Sequence, residues 1–386
     1  MLDFARQFAA LREEILHAVE AVCTSQRFIL GPEVASFERA AALACSVDHA
    51  IGCASGTDAI WLALAAAGIG DSHLPVRAAT QPAVITTPFS FYASASGVLR
   101  AGARPLFADI DPLTFNLSPG AVEQVLNQNL SVEVRAILPV HLFGQCVDWD
   151  GFRALQLAHP GLLLIEDAAQ AFGASWNGVP AGALGDAACF SFYPTKNLSA
   201  IGDAGLVTTG SATIDDRARM LRAHGMRRRY FHDEVGWNSR LDTLQAAVLE
   251  VKLRYLAGWN QQRRELAKRY DELFRSAGLV SSGTVADGLI LPWTHPRAHH
   301  VFHQYVIRAP RRDELRDFLT TRQIGTEVYY PLPLHLQASL ADLGYRAGDF
   351  PESERAAAEV LALPMYPELR EDEQEIVVEA IRSFFS

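Results

Sequence analysis

The chain has 386 residues, of which 49% are hydrophobic and 20% are charged, and its formal net charge is −10 at pH 7. This is the composition of an ordinary globular protein, and it excludes a disordered or fibrous chain. Domains that bind duplex nucleic acid are usually basic, so the acidic balance argues against a nucleic-acid partner. The length indicates two domains, each with its own hydrophobic core.

The cysteines and the first residues indicate the compartment. The five cysteines are scattered and form no CxxC pair or cysteine–histidine cluster; they are Cys23, Cys45, Cys53, Cys146 and Cys189. We therefore expect reduced thiols, a cytoplasmic location and no metal. The opening MLDFARQFAALREEIL has an amphipathic helix pattern. Neither a signal peptide nor an apolar run of membrane length is visible, so we expect no membrane partner.

Strand-like and helix-like segments alternate over most of the chain. After two helical segments, HAIGCASGTDAIWLALAAAGIG has the pattern of a strand, a glycine turn and a helix, and AVITTPFSFYASASGVLRAGA repeats it. RPLFADID, VRAILPVHLFG, GLLLIEDAAQAFGA, AACFSFYPTKN and AGLVTTG are further apolar strand patterns. This alternation predicts an α/β fold with a mostly parallel sheet covered on both faces.

A change of pattern after residue 240 indicates a second domain. LDTLQAAVLEVKLRYLAGWNQQRRELAKRYDELFRSAG predicts one long amphipathic helical stretch. Beyond it, the strand pattern HQYVIRAP mixes with helix patterns such as RRDELRDFLTTRQI. We predict a large domain over residues 1–255 and a linker helix with a smaller C-terminal α+β domain over 256–386. DSHLPVRAATQPA, residues 71–83, is predicted to be a surface loop.

Lys196 stands between an apolar strand pattern and a glycine-flanked turn in ACFSFYPTKNLSAIGDAG. It can be a lysine that extends its charge into water from a strand end. It can also be a desolvated amine that reacts with an aldehyde, because burial lowers the proton affinity of an amine. The glycine spacing upstream does not match a phosphate loop of the GxxxxGK[ST] kind.

Two further segments point to a ligand. In ASGTDAIWLAL a small turn opens a helix, where free N–H groups favour an anion; Ser55 or Thr57 can equally be a plain helix cap. In LLLIEDAAQAFGA a strand ends in two carboxylates, and Asp167 can bind a protonated ring nitrogen or cap the next helix. Gln170 is placed to face the same way. An amine, an acid and an anion site together match what pyridoxal phosphate requires.

With these motifs in this order, the chain resembles the DegT/DnrJ/EryC1/StrS family of pyridoxal-phosphate-dependent sugar aminotransferases. The resemblance extends from FILGPEVASFE to YYPLPLHLQ and includes SGTDA, TTPFSFYASA, GARPLFADID, PVHLFGQ, EDAAQAFGA, SFYPTKNLSAIGDAG and NSRLDTLQAAVLEVKL. It implies the fold-type I architecture, with a large mixed-sheet domain, a smaller C-terminal domain and a homodimer.

The resemblance also implies roles for single residues. Lys196 would form the internal aldimine with pyridoxal phosphate and would later move the substrate proton, while the cofactor passes through its pyridoxamine form during turnover. Asp167 would pair with the ring nitrogen, Gln170 would bind the ring hydroxyl, and Phe91 would stack on the ring. The phosphate would be held by Gly56, Thr57 and Ser191, and by Asn238 of the neighbouring subunit, so that the two subunits share their active sites.

The reaction implied is the transfer of the amino group of L-glutamate to a nucleotide-linked ketosugar. NSRLDTLQAAVL and HVFHQYVI resemble 3-ketosugar enzymes, and VYYPLPLHLQ resembles those acting on UDP-linked 3-keto-N-acetyl sugars. Enzymes for dTDP-linked 3-keto-6-deoxyhexoses and for 4-ketosugars are the alternatives. The candidate substrate residues are Arg240, His224, Arg229 and His335. An exposed surface turn explains His224 and Arg229 equally well, and a histidine such as His335 is more often a structural residue.

Two other functions remain open on the same scaffold. Some members of this family are sugar dehydratases with histidine at the lysine position, and Lys196 argues against that branch. A non-catalytic regulator that binds pyridoxal phosphate is a third possibility. A protein that only binds the cofactor has no need for both the lysine and the acid, and this argues for the enzyme.

Overall fold

The computed structural model describes residues 3–70, 81–128, 132–281 and 283–386, in which helices and strands alternate. The strands are β1 (His49–Cys53), β2 (Ala83–Thr86), β3 (Arg104–Phe107), β4 (Val134–Ile137), β5 (Leu163–Asp167), β6 (Ser175–Trp176), β7 (Val179–Pro180), β8 (Ala187–Ser191), β9 (Gly205–Thr209), β10 (Met226–Arg228), β11 (Phe231–His232), β12 (Ala298–His299), β13 (Tyr305–Arg308) and β14 (Val360–Leu363). The helices are α1 (Phe4–Ser25), α2 (Pro32–Cys45), α3 (Gly56–Ala66), α4 (Ala93–Arg100), α5 (Pro119–Leu126), α6 (Trp149–Ala158), α7 (Ala212–Leu221), α8 (Thr243–Leu253), α9 (Leu256–Ser276), α10 (Arg312–Thr321), α11 (Pro351–Glu359) and α12 (Glu371–Phe385).

A seven-stranded sheet forms the centre of the larger part, in the order β1-β9-β8-β5-β4-β2-β3. The strand β2 is parallel to β3 and β4, and β5 is parallel to β4 and β8. The strand β9 is antiparallel to both β1 and β8. The predicted α/β fold with a mixed, mostly parallel sheet is therefore confirmed. The fully apolar strand patterns arise because both faces of such a sheet are buried.

Two large hydrophobic clusters hold the chain together. One lies on a face of the main sheet and joins its side chains to those of α2, α6 and α8, among them Phe37, Phe152 and Leu249. The other joins α9, α10, α12 and the β13–β14 pair, among them Tyr270 and Leu361. The division of the chain into domains at residues 255 and 256 remains a prediction.

The stretch predicted as one long helix is two helices. The chain turns at Arg254 and Tyr255, where the Tyr255 N–H donates to the Lys252 carbonyl, three residues back, at 3.0 Å. Hydrophobic periodicity continues across the turn, which is why the sequence pattern did not reveal it. Of the loop predicted over 71–83, residues 71–80 lie outside the described residues, and Ala83 already belongs to β2.

The carboxyl ends of β1, β5 and β8 meet at one edge of the sheet. Gly205 is paired with Cys53 on one side and with Ser191 on the other, and Asp167 is paired with Cys189. The start of α3, the end of β5 and the turn after β8 therefore converge, as ligand sites of such sheets do. Among the described residues, no helix has the length and apolar character to cross a membrane.

Candidate active site

Lys196 lies in the turn that follows β8, and its N–H donates to the Tyr193 carbonyl at 2.8 Å. The residue is partly exposed. Burial lowers the pKa of the amine from 10.5 to about 8, and the charge of Asp167 opposes this shift. More of the amine is therefore neutral near pH 8 than in an exposed lysine, and a neutral amine is a nucleophile.

Asp167, the last residue of β5, is 3% exposed. Its Oδ2 accepts a hydrogen bond from Ser94 Oγ at 2.7 Å, and its Oδ1 accepts one from the Ala169 N–H at 3.2 Å. Burial raises the pKa of this carboxyl, while these hydrogen bonds and the charge of Lys196 oppose the rise. The acid and the amine thus each favour the charged form of the other.

The other carboxylate of the EDAAQ segment has a structural role. Glu166 is fully buried, and its Oε2 lies 2.9 Å from His141 Nε2. It also accepts hydrogen bonds from the N–H groups of Gly182 (2.9 Å), Leu184 (3.0 Å) and Gly185 (2.9 Å). Side chains alternate along a strand, so Glu166 and Asp167 point to opposite faces. This arrangement leaves Asp167 as the carboxylate on the side of Lys196.

Gln170 links the edge of the sheet to the C-terminal part of the chain. Its Oε1 accepts from the Phe143 N–H at 2.7 Å, and its Nε2 donates to the Tyr330 hydroxyl at 3.1 Å. Burial raises the pKa of Tyr330, so the hydroxyl stays protonated. Tyr330 lies in the segment VYYPLPLHLQ, and no sequence motif predicted it as a site residue. Its only sequence signal is a pair of tyrosines before a proline.

The start of α3 has the close packing that an anion site requires. Ser55 caps the helix, accepting from the Asp58 N–H at 3.1 Å. A Cβ at Gly56 would lie 2.5 Å from Ser191 Cβ, and a Cβ at Gly205 would lie 2.2 Å from the Ser55 carbonyl oxygen. The absence of both side chains brings the helix N-terminus against the end of β8. The cap and the anion site proposed from the sequence are compatible here.

Phe91 and the segment 238–240 border this region. The Phe91 side chain is 60% exposed, and its ring centroid lies 6.5 Å from that of Tyr330. Asn238 is exposed, and Arg240 is partly buried with an Nε that has no hydrogen-bond partner among the described residues. Between them, Ser239 Oγ donates to Asp58 Oδ2 at 2.7 Å and ties the segment to α3.

The structure brings the other substrate candidates to different places. His224 and Arg229 are exposed at the β10–β11 hairpin, and the Arg229 guanidinium lies 4.9 Å from the Tyr230 ring centroid. His335 is buried, with Nε2 3.0 Å from Glu354 Oε1 and its ring 4.8 Å from the Phe350 centroid. These contacts favour a structural role for His335.

These residues fit pyridoxal phosphate. A desolvated amine, a buried acid held by two hydrogen bonds and a glycine-lined helix N-terminus lie at one edge of the sheet. They are the groups that the aldehyde, the pyridine nitrogen and the phosphate of this cofactor require. Among residues 3–70, 81–128, 132–281 and 283–386, no group of three or more histidine, cysteine or acidic side chains is arranged to hold a metal ion.

Curated relatives cover the whole chain. The chain is 46% identical over 385 residues to the "Pleiotropic regulatory protein" of Geobacillus stearothermophilus, covering 100% of this chain and 98% of that one. It is 39% identical to the UDP-N-acetyl-3-dehydro-alpha-D-glucosamine 3-aminotransferase of Acidithiobacillus ferrooxidans, covering 99% and 96%. It is 40% identical to the dTDP-3-amino-3,4,6-trideoxy-alpha-D-glucose transaminase of Streptomyces venezuelae, covering 99% and 95%.

The fold is also that of a solved relative. The crystal structure of S. venezuelae DesV in complex with a ketimine intermediate superimposes with a TM-score of 0.90, at 40% identity, over 99% of this chain and 97% of that one. The DegT/DnrJ/EryC1/StrS aminotransferase family matches residues 9–382. The resemblance, the fold and the cofactor predicted from the sequence are thereby confirmed. The chain belongs to the DegT/DnrJ/EryC1/StrS aminotransferase family, and it is a pyridoxal-phosphate-dependent aminotransferase.

Proposed function

We propose that this aminotransferase moves the amino group of L-glutamate to C3 of a UDP-linked 3-keto-N-acetylglucosamine. The ketosugar becomes the 3-amino sugar and glutamate becomes 2-oxoglutarate. The sugar thus gains the amino group that glutamate loses, and glutamate's α-carbon gains a carbonyl oxygen in exchange. The observation that carries the proposal is the convergence of Lys196, with its pKa lowered to about 8, and the buried Asp167 at one edge of the sheet.

The roles of the residues follow from their environments. Bound pyridoxal phosphate supplies an aldehyde that accepts amino groups and a ring that takes up electrons. Lys196 binds the cofactor and moves a proton to and from the substrate carbon. Asp167 stabilises the protonated ring nitrogen. Gln170 has a second Nε2 hydrogen, beside the one given to Tyr330, with which to bind the ring hydroxyl. The exposed face of Phe91 stacks on the ring.

The phosphate of the cofactor is proposed to lie at the start of α3. The N–H groups of Gly56 and Thr57 belong to the first turn, where backbone donors have no partner within the helix. The Ser191 hydroxyl stands beside them. Asn238 is proposed to reach the phosphate of the neighbouring subunit in a homodimer. Its exposure in the single chain is consistent with that assignment.

The nucleotide is the less determined part of the substrate. Arg240 is the strongest candidate for the diphosphate, because its guanidinium has an unpartnered Nε and can bind phosphate oxygens with two parallel hydrogen bonds. His224 and Arg229 are further candidates on an exposed hairpin. The names of the relatives support a 3-amino sugar with either nucleotide. A dTDP-linked 3-keto-6-deoxyhexose is therefore the alternative substrate.

A regulatory function is the second candidate, because the relative with 46% identity is named as a regulatory protein. The combination of a lowered lysine pKa and a buried acid favours catalysis. A sugar dehydratase is disfavoured by Lys196, and a 4-ketosugar enzyme by the motifs that resemble the 3-keto branch. The five free cysteines are consistent with a cytoplasmic enzyme.

A substrate panel tests the proposal. The holoenzyme is incubated with glutamate and with UDP- or dTDP-linked 3-keto and 4-keto sugars, and the products are identified by mass. We expect an amino sugar and one 2-oxoglutarate per turnover with the UDP-linked 3-keto-N-acetyl sugar, and none with Lys196→Ala. Preference for a dTDP or 4-keto substrate would replace the substrate assignment. Binding of the cofactor without amino transfer to any ketosugar would favour the regulator.

A further inference from the structure

Two buried serines lie behind Asp167. Ser94 is in the first turn of α4 and is 1% exposed, and Ser90 is four residues earlier and 4% exposed. The Ser90 and Ser94 Oγ atoms are 2.8 Å apart, and Ser94 Oγ is 2.7 Å from Asp167 Oδ2. The three groups form a continuous hydrogen-bonded chain that ends on the acid. No role for either serine follows from the sequence motifs.

The direction of this chain is set by the acid. An ionised carboxylate only accepts hydrogen bonds, and a hydroxyl has one hydrogen to donate. Ser94 therefore donates to Asp167, and Ser90 must donate to Ser94. Hydrogen bonds in such a series strengthen one another, and those to a charged acceptor are the strongest. A protonated Asp167 could donate a hydrogen bond as well as accept one, so the direction of the chain would no longer be fixed.

We propose that Ser94 is a positioning residue that holds Asp167 ionised and oriented, with Ser90 as the outer member of a two-hydroxyl relay. The inference rests on the proposed role of Asp167 toward the ring nitrogen. The Ala169 N–H fixes the other carboxylate oxygen, Oδ1. With both oxygens held, the plane of the carboxylate is fixed before the cofactor binds, and no rotation has to be frozen at that moment.

The relay also opposes the effect of burial. Burial favours the neutral acid, which could not stabilise a cationic ring, and it raises the pKa of Asp167. The hydrogen bond from Ser94 lowers that pKa more than the Ala169 N–H or the charge of Lys196 does. Loss of the Ser94 hydroxyl therefore favours the neutral acid.

The experiment compares Ser94→Ala with Ser96→Ala. Ser96 is on the same helix and is partly exposed. We expect Ser94→Ala to weaken the equilibrium binding of pyridoxal phosphate by about tenfold, as loss of one hydrogen bond to a charged group would. The pH titration of the bound cofactor's visible absorbance should shift toward that of Asp167→Asn. Ser90→Ala should give a smaller change of the same kind, and Ser96→Ala should match the wild type.

A double-mutant cycle separates this role from a general packing effect. If Ser94 acts through Asp167, the Ser94→Ala/Asp167→Asn protein binds the cofactor no more weakly than Asp167→Asn alone. Additive losses, or a Ser94→Ala protein with wild-type affinity and titration, would overturn the inference. Thermal unfolding of each apoprotein checks that the variants are folded. A wild-type protein that binds no cofactor would instead refute the proposed function.

Discussion

His303 Nδ1 lies 3.1 Å from Oδ1 of Asn197, the residue directly after Lys196. The Asn197 amide nitrogen donates to Asn260 Oδ1 at 2.8 Å and to the Val301 carbonyl at 3.2 Å, so its oxygen is the acceptor. His303 Nδ1 therefore carries a hydrogen. Burial and the nearby charge of Lys196 lower the pKa of His303 well below its usual value, so the ring is neutral. This network ties the turn that carries Lys196 to α9.

We predict that Asn197→Ala destabilises the apoprotein by about 1–3 kcal/mol, because it leaves buried polar partners without hydrogen bonds. The free energy of unfolding in urea measures this loss. Amino transfer should fall as well, since the turn that holds Lys196 loses its support. Asn127→Ala, at an exposed helix end, is the matched control and should change stability by less than about 0.5 kcal/mol. Equal effects of the two variants would contradict the prediction.

The second prediction concerns the packing at Gly56. A methyl group there would lie 2.5 Å from Ser191 Cβ, whereas one at Gly210 would have no atom within 4 Å. We expect Gly56→Ala to cost about 1–3 kcal/mol of stability through overpacking and to weaken cofactor binding more than tenfold. Gly210→Ala should leave both unchanged. Calorimetry of the apoprotein and titration with pyridoxal phosphate measure the two effects, and normal cofactor affinity in Gly56→Ala would refute the anion site.

The third prediction follows from the pKa of Lys196, which folding lowers from 10.5 to about 8. A lysine with a lowered pKa contributes its stability fully above pH 10.5 and loses it as the pH falls through about 8. At pH 7 the wild-type apoprotein therefore bears the whole cost of the buried charge. We expect Lys196→Met to stabilise the apoprotein at pH 7 by about 1–3 kcal/mol, allowing for the partial exposure of the residue.

Urea unfolding at several pH values checks the sign of this effect. The advantage of Lys196→Met should shrink as the pH rises from 8 toward 10.5. Lys268, with a side chain that is 80% exposed, provides the control: Lys268→Met should show no such dependence. An advantage of Lys196→Met that stays constant from pH 8 to 10.5 would show that the amine is not desolvated, whatever the loss of its charge does to Asp167.

The fourth prediction tests the shared active site. Lys196→Ala and Asn238→Ala are each expected to lose most activity when pyridoxal phosphate is limiting. In a mixed dimer, one site carries both changes and the other carries neither. With equal amounts of the two variants and random exchange of subunits, half of the dimers are mixed. About one quarter of all active sites should then carry neither substitution. Activity that does not rise after mixing, in subunits shown to exchange by mass, would mean that Asn238 serves its own chain.

The sequence predicted the strands and the edge of the sheet because local patterns determine them. Apolar runs mark the buried strands, and a glycine, an aspartate and a lysine stand where three strands end. The fold class, the family and the cofactor all follow from these segments. Glu166 and Asp167 could not be told apart by composition alone, but the alternation of side chains along β5 explains why they face opposite ways.

What the sequence did not reveal are contacts between distant segments. Ser94 meets Asp167 across 73 residues, and Gln170 meets Tyr330 across 160. Serine and tyrosine are common in loops and helices, so neither residue stands out until the sheet edge brings it to its partner. His335 is the converse case. Its pattern allowed a substrate role, whereas its burial against Glu354 and Phe350 depends on how the C-terminal part packs.

Which lysine carries the cofactor is the measurement that bears most directly on the proposed active site. The chain has three lysines, Lys196, Lys252 and Lys268. Lys252 is an internal comparator: burial lowers its pKa to about 8 as well, but its amine donates to Ser199 Oγ at 3.0 Å. Borohydride reduction of the holoenzyme, followed by peptide mass mapping, should place the pyridoxyl group on Lys196 alone. A label on Lys252 or Lys268, with Lys196 unmodified, would show that Lys196 does not bind the cofactor.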